Sequence, residues 1–155
     1  MKIIIDGDSA PLKEDIAALA EKNGIRIIIV TSIAHYTEKP GIGKAELVLV
    51  DNRPQEADIK IMNLAEKNDI CITGDSGLAH ILSGKGVTIV GHKGDILSGA
   101  DIEINMERAH IFKKALRGKK RMKMKGPAAR TLQDDEKLVE VIGELIKKAK
   151  SGEII

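Results

Sequence analysis

The sequence predicts an α/β fold in three layers, with helices on both faces of a mainly parallel central sheet. Short apolar, β-branched runs recur along the chain, and most are separated by segments whose apolar residues follow helical spacing. Such runs read as strands covered on both sides rather than on one. No internal repeat or linker divides the chain, so its 155 residues make a single domain, 1–155, with room for a proper core.

Lys2-Ile3-Ile4-Ile5 reads as a central strand that stops at Asp6-Gly7-Asp8. Pro11 suits the first turn of a helix, where its missing N–H costs little. Ile16, Ala17, Leu19 and Ala20 form the stripe of that helix, and Asn23-Gly24 its C-cap. The run Ile25 to Val30 is a second strand. Thr31 to Lys44, rich in Gly, Pro and polar residues, is a loop that holds His35 and Tyr36. Glu46 to Val50 is a third strand, ending at Asp51, and Pro54 precedes a helix from about Gln55 to Lys67.

Asp69-Ile70-Cys71-Ile72-Thr73 leads to a fourth strand, followed by Gly74-Asp75-Ser76-Gly77 and a helix through Leu78, Ala79, Ile81 and Leu82. Gly84-Lys85-Gly86 turns the chain into a fifth strand, Val87–Val90. Asp101 to Leu116 is helical. Thr131-Leu132-Gln133-Asp134 has the form of a capping box opening a last helix, about 132–149. Leu138, Val141, Ile142 and Leu145 share one face of it, so it docks on the body of the domain.

Composition excludes several classes. Cys71 is alone and sits in an apolar run, so no disulfide framework exists and a reducing cytoplasm fits. No secretory leader or membrane-spanning run is present. Aromatic residues are 1% of the chain, which argues against recognition of single strands by rows of stacking rings. The formal net charge of +2 says less than how the charge is distributed.

Asp6, Asp8 and Asp75 share one situation, since each follows an apolar strand and precedes a helix. In a parallel sheet all the strand carboxyl ends lie along one edge, where open α/β folds place their crevices. Asp58 joins them by helical spacing, on the same face as Ile61, Met62 and Ala65. Carboxylates gathered this closely repel unless a positive charge lies between them. Their hard oxygens suit Mg²⁺ or Mn²⁺, ions that assist phosphoryl displacement. No His–Cys set with zinc spacing occurs, and His35, His80, His92 and His110 are scattered, with His35 and His92 in loops.

A second feature is basic. Lys113, Lys114, Arg117, Lys119, Lys120, Arg121, Lys123 and Lys125 crowd one segment, 113–125, without interleaved acids. Such a run seeks phosphates, with affinity that falls steeply as salt rises. Lys119, Lys120, Arg121, Lys123 and Lys125 are the candidate contacts to RNA or another polyanion. Acids suited to a metal beside a basic arm suggest a metal-dependent nuclease.

The chain also resembles a known family. Asp6-Gly7-Asp8-Ser9-Ala10-Pro11 is similar to the Asp-Ala-Asp-Ala-Cys-Pro opening of the YaiI/YqxD family of bacterial proteins of unknown function. The likeness continues through His35, Val50-Asp51, Ala57-Asp58-Ile59, Thr73 to Ala79, and His92-Lys93-Gly94. Further on it includes Lys119-Lys120-Arg121, Gly126-Pro127 and Thr131 to Asp134, so it spans nearly the whole chain. That family resembles the PIN-like group, typically ribonucleases that use a few acids and Mg²⁺ or Mn²⁺. The resemblance implies that Asp6, Asp58 and Asp75 are metal-binding acids with Asp8 beside them. It implies Asp95 as a further acid and Thr73 or Ser76 as supporting hydrogen-bond donors. Ser9 stands where the family commonly has Cys, and Leu138 where it usually has an aromatic residue.

Two other readings compete. Asp6-Gly7-Asp8 and Gly74-Asp75-Ser76 imitate a haloacid-dehalogenase-like phosphatase, although Leu78, Ala79 and His80 occupy the place of its usual further acid. A non-catalytic RNA-binding module that keeps its acids for stability is the other.

Overall fold

The computed structural model describes residues 1–35, 41–118 and 129–152. The strands are β1 (Lys2–Asp6), β2 (Arg26–Ser32), β3 (Glu46–Val50), β4 (Ile70–Ile72) and β5 (Thr88–Val90). The helices are α1 (Lys13–Lys22), α2 (Glu56–Leu64), α3 (Ser76–Gly84), α4 (Gly99–Arg117) and α5 (Leu132–Lys150). One sheet runs in the order β3-β2-β1-β4-β5, and each neighbouring pair is parallel. The chain thus leaves β1 towards one edge and later returns to its other side. The carboxyl ends of β1 and β4 flank that reversal, the place where an open sheet leaves a crevice.

The core explains why the strand runs are apolar at consecutive positions. Side chains alternate between the faces of a sheet. Ile3, Ile5, Ile27, Ile29, Ile70 and Ile72 pack with Ile16 and Ala20 of α1 and with Leu138 and Ile142 of α5. Their neighbours Ile4, Ile28, Val30, Cys71 and Ile89 pack on the other face with Ile61, Leu78, Leu82 and Ile102 of α2, α3 and α4. Each fully buried isoleucine contributes roughly 1.5–3 kcal/mol relative to exposure. Burial also pushes the Cys71 thiol up, which keeps it inert.

Several boundaries differ from the sequence reading. Pro11 lies ahead of α1 rather than in its first turn, because Leu12 enters the helix from a left-handed conformation, φ 57°. Strand β2 continues through Thr31 and Ser32 into the expected loop, paired to Leu49 and Val50 of β3. Helix α2 stops at Leu64, short of Lys67, because Ala65 is extended and tertiary partners take over the backbone groups there. Lys85 Nζ donates to the carbonyls of Met62 and Ala65 at 2.6 and 2.7 Å, and the Glu66 N–H donates to Asp69 at 2.8 Å. Helix α4 begins at Gly99, earlier than Asp101, behind a capping box of Ser98 and Asp101. Thr131 and Asp134 form the expected box at α5.

The amino edge of the sheet is closed by a buried ion pair. Lys2 Nζ donates to Asp69 Oδ2 at 2.6 Å, and the Lys2 backbone N–H donates to Asp69 Oδ1 at 3.0 Å. Asp69 is 2% exposed, and its carboxylate serves β1, the Lys2 ammonium and the turn after α2 together. Replacing Asp69 by Ala should therefore cost about 3–5 kcal/mol in urea unfolding, because the Lys2 ammonium keeps only the exposed Glu66 carboxylate and two backbone N–H groups lose their acceptor. Removing the exposed partner in the Arg26–Glu46 pair with Glu46→Ala should leave the urea midpoint nearly unchanged, because solvent screens that pair.

Candidate active site

At the opposite edge of the sheet, carboxylates gather among neutral hydrogen-bond donors. Asp6 is the last residue of β1 and is 6% exposed. Its carboxylate accepts from Thr73 Oγ1 at 3.1 Å, just past β4, and from the Asp8 backbone N–H. The chain then makes a tight turn past β2, where the Gly7 N–H donates to the Val30 carbonyl at 2.7 Å. A Cβ on Gly7 would sit 2.8 Å from that carbonyl oxygen, so a larger residue between the two acids would need β2 to shift at Val30.

Asp8 Oδ1 accepts from the Ser32 backbone N–H at 2.7 Å, from Thr31 Oγ1 at 2.9 Å and from Ser32 Oγ at 3.2 Å. The extension of β2 is what brings these donors to it. Asp75 is the N-cap of α3 and accepts from the Leu78 N–H at 2.9 Å; its own N–H donates to Thr73 Oγ1 at 3.1 Å. Thr73 thus bridges two of the acids. Asp58 lies half-buried in the first turn of α2, which enters from Gln55 in a left-handed conformation, φ 66°.

Asp6, Asp8, Asp58 and Asp75 line one cleft of about 570 Å³. They act on one another. Burial, with the charges of Asp75, Asp6 and Asp8, pushes the Asp58 carboxyl up to about 6. Burial also raises Asp6, opposed by the Thr73 hydrogen bond and reinforced by Asp8 and Asp75. Among the described residues, the charges acting on Asp6 and Asp58 are carboxylates. Among the described residues, no three His, Cys, Asp or Glu side chains stand close enough, as placed, to hold a metal ion. The carboxylates share the cleft without closing on one point.

The other sequence candidates fall in different places. Ser76 opens α3 beside the cleft, with no hydrogen bond to these acids among the described residues. Asp95 stands apart from the cluster, because its carboxylate is taken by the Lys137 ammonium on α5. Lys119, Lys120, Arg121, Lys123 and Lys125 lie outside the described residues, as does the side chain of His35.

The sequence reading passed over two parts of the cleft and placed a third, His92, in a loop within reach of phosphate or substrate. Thr31 and Ser32 follow the apolar run of β2 as Asp6 and Thr73 follow theirs, and that shared position was the available signal. Asp51, Asn52 and Arg53 form the rim beyond β3. His92, beyond β5, forms a wall. Its ring lies so near Gly74 that a Cβ there would be 2.9 Å from His92 Cε1. The Arg130 guanidinium donates to the His92 carbonyl and to Asp135, so the start of α5 is fastened to the cleft wall. Burial, then the Arg130 charge, lowers the His92 pKa.

Fold and cleft together define an α/β protein with a parallel sheet and an acidic crevice at its carboxyl edge. The model of the family described as uncharacterised BCR, YaiI/YqxD, matches residues 4–148, and the chain belongs to that family. A UPF0178 protein of Alkaliphilus metalliredigens is 33% identical over 148 residues, 96% of this chain and 93% of that protein. Another from Enterococcus faecalis is 34% identical over 149 residues, 96% of this chain and 99% of that one. A UPF0178 protein of Bacillus anthracis is 36% identical over 137 residues, 88% of this chain and 92% of its own length. Among solved structures, a mutant of Rae1 (YacP) from Bacillus subtilis aligns with a TM-score of 0.46 and 16% identity, over 96% of this chain and 99% of that one. No described helix is long and apolar enough to cross a membrane.

The raised acids give the pH dependence a definite sign. The Asp58 carboxyl is pushed up to about 6 in the folded chain from the ordinary 3.8 of an aspartate, so the folded state holds this proton more tightly. Stability measured without divalent ions should then fall as pH rises from about 4 through 6. Asp58→Asn should flatten that fall in thermal unfolding and raise Tm above wild type at pH 7.5. A wild-type Tm that climbs through this window would contradict the electrostatic picture.

Proposed function

We propose that this chain is a metal-dependent nuclease of PIN-like type that hydrolyses phosphodiester bonds in RNA. The observation that carries the reading is the convergence of carboxylates from three remote segments on one cleft, where they raise one another's affinity for protons. Such a cluster is costly to keep unless a cation or a reacting group uses it.

The donor set fits Mg²⁺ or Mn²⁺ in chemistry, since Asp6, Asp58 and Asp75, with Asp8 beside them, offer hard carboxylate oxygens. Binding would have to draw these side chains inward against their repulsion. When bound, such an ion supplies Lewis acidity towards a phosphoryl oxygen and lowers the pKa of a water. The chain's own residues fix the geometry around it. Thr73 holds Asp6 and the Asp75 backbone in register, while Thr31 and Ser32 hold Asp8. Arg53 on the rim carries positive charge suited to a phosphate, and the basic run Lys119 to Lys125 supports binding of a polyanion. The phosphatase alternative needs Asp6 as an attacking nucleophile, and its burial under Thr73 disfavours that role.

Incubation with Mn²⁺ and a single-stranded RNA, against a small phosphomonoester, tests the reading. RNA should be cut and the monoester left intact. Asp6→Asn and Asp75→Asn should each lower cleavage by about 100-fold or more, the scale of losing one catalytic electrostatic group. Circular dichroism of both variants should match wild type. Cleavage that survives both substitutions would rule out the acids as its source, and binding without cleavage would favour the RNA-binding module. Neutralising Lys119, Lys120 and Arg121 together should weaken RNA binding and reduce its salt slope by about 2, at roughly 0.7 per phosphate contact.

A further inference from the structure

A second cavity, of about 630 Å³, opens off the acidic cleft and runs between α2, α3 and α4. Gln55, Asp58, Gly74 and Asp75 line both, so the two are continuous. Its walls are unlike those of the cleft. Ile59 of α2, Ile81 of α3 and Met106 of α4 turn into it while remaining 47%, 48% and 38% exposed, and Met62 lines it between them. Three helices thus each leave a large apolar side chain in water at one groove, where burial would gain free energy. His110 and Lys113 of α4 line it too.

One continuous groove thus offers carboxylates, an aliphatic and thioether surface, and a positive charge. A nucleotide chain carries phosphate anions on its backbone and flat bases projecting from it, and such a groove can take both. With one phosphate at the acids, Lys113 suits a neighbouring phosphate, and Ile59, Ile81 and Met106 suit the face of a projecting base. Thioether sulfurs make favourable contacts with ring edges, which suits a protein whose aromatic content is 1%. A duplex hides its base faces in the stack and cannot use such a wall, whereas an unpaired strand can.

We infer that the groove between α2, α3 and α4 is a nucleotide-binding subsite that receives an unpaired base of a single-stranded nucleic acid adjacent to the scissile phosphate, with Lys113 on the neighbouring phosphate. This rests on the nuclease reading and adds the residues that select an unpaired strand.

The test is fluorescence anisotropy of a labelled single-stranded oligoribonucleotide and of its duplex, with Ca²⁺ in place of Mn²⁺, beside cleavage kinetics in Mn²⁺. Ile59→Ser with Ile81→Ser should weaken single-strand binding about tenfold and raise KM more than it lowers kcat, leaving duplex binding unchanged. Both side chains are already exposed, so the fold should tolerate the change. Lys113→Ala should lower the salt slope of single-strand binding by about 0.7. Leu132→Ser, on a side chain 80% exposed at the start of α5, is the control and should change nothing. Groove variants that bind and turn over like wild type, while Asp75→Asn abolishes cleavage, overturn the subsite and leave the nuclease reading standing. A wild-type protein that neither binds nor cuts single strands removes both. Sedimentation showing a wild-type dimer that Ile81→Ser dissociates would make the groove a contact between copies and overturn the subsite.

Discussion

Electrostatic repulsion at one edge of a parallel sheet is the constraint on which the rest of this structure turns. Because every strand runs the same way, whatever ends the strands is delivered to the same side of the molecule. Here the strand ends and the helices after them bring Asp6, Asp8, Asp58 and Asp75 into one cleft. A fold that sought only stability would not gather carboxylates there. The chain holds them in place with short, local devices: the Thr73 hydroxyl between Asp6 and the Asp75 backbone, the Thr31–Ser32 pair on Asp8, and the N-cap hydrogen bond of Asp75. These satisfy carboxylate oxygens without cancelling their charge.

The two edges of the sheet show the same residue type in opposite roles. At the amino edge Asp69 is buried, but it faces a lysine ammonium and two backbone N–H groups, and its charge is fully matched. At the carboxyl edge Asp6 is almost as buried, yet among the described residues the charges acting on it are negative. Burial is tolerable where pairing accompanies it and otherwise stores free energy for a ligand to release. The first edge holds the sheet together, and the second keeps a site charged.

The connections into the helices carry related strain. Leu12 before α1 and Gln55 before α2 both adopt left-handed backbone that non-glycine residues seldom occupy, at roughly 1–2 kcal/mol each. Gln55 lies on the lip shared by the cleft and the groove, and its turn sets where Asp58 enters. Gly7 and Gly74 act differently, by letting backbone lie close to the Val30 carbonyl and to the His92 ring without a Cβ in between. Among the described residues with left-handed backbone only Gln55 lines the cleft, while Asn68 turns the chain at the amino edge beside Asp69.

Sequence alone determined the class of fold and the succession of strands and helices along the chain, and pointed to the sheet edge where the strand-end acids lie; the order of strands within the sheet came from the tertiary structure. The reason is that these follow from local patterns: consecutive β-branched residues, helical stripes, caps, and the rule that parallel strands share an edge. The capping box at Thr131 was legible for the same reason. Tertiary structure alone decided what depends on partners remote in the chain. It ended α2 at Leu64 because Lys85 and Asp69 take its last backbone groups, and it kept β2 running to Ser32 so that Asp8 gained donors. It turned Asp95 away to Lys137, set His92 as a wall of the cleft, and left three apolar side chains from three helices facing one groove. Those outcomes are settled by distances between segments far apart in sequence, which no local periodicity encodes.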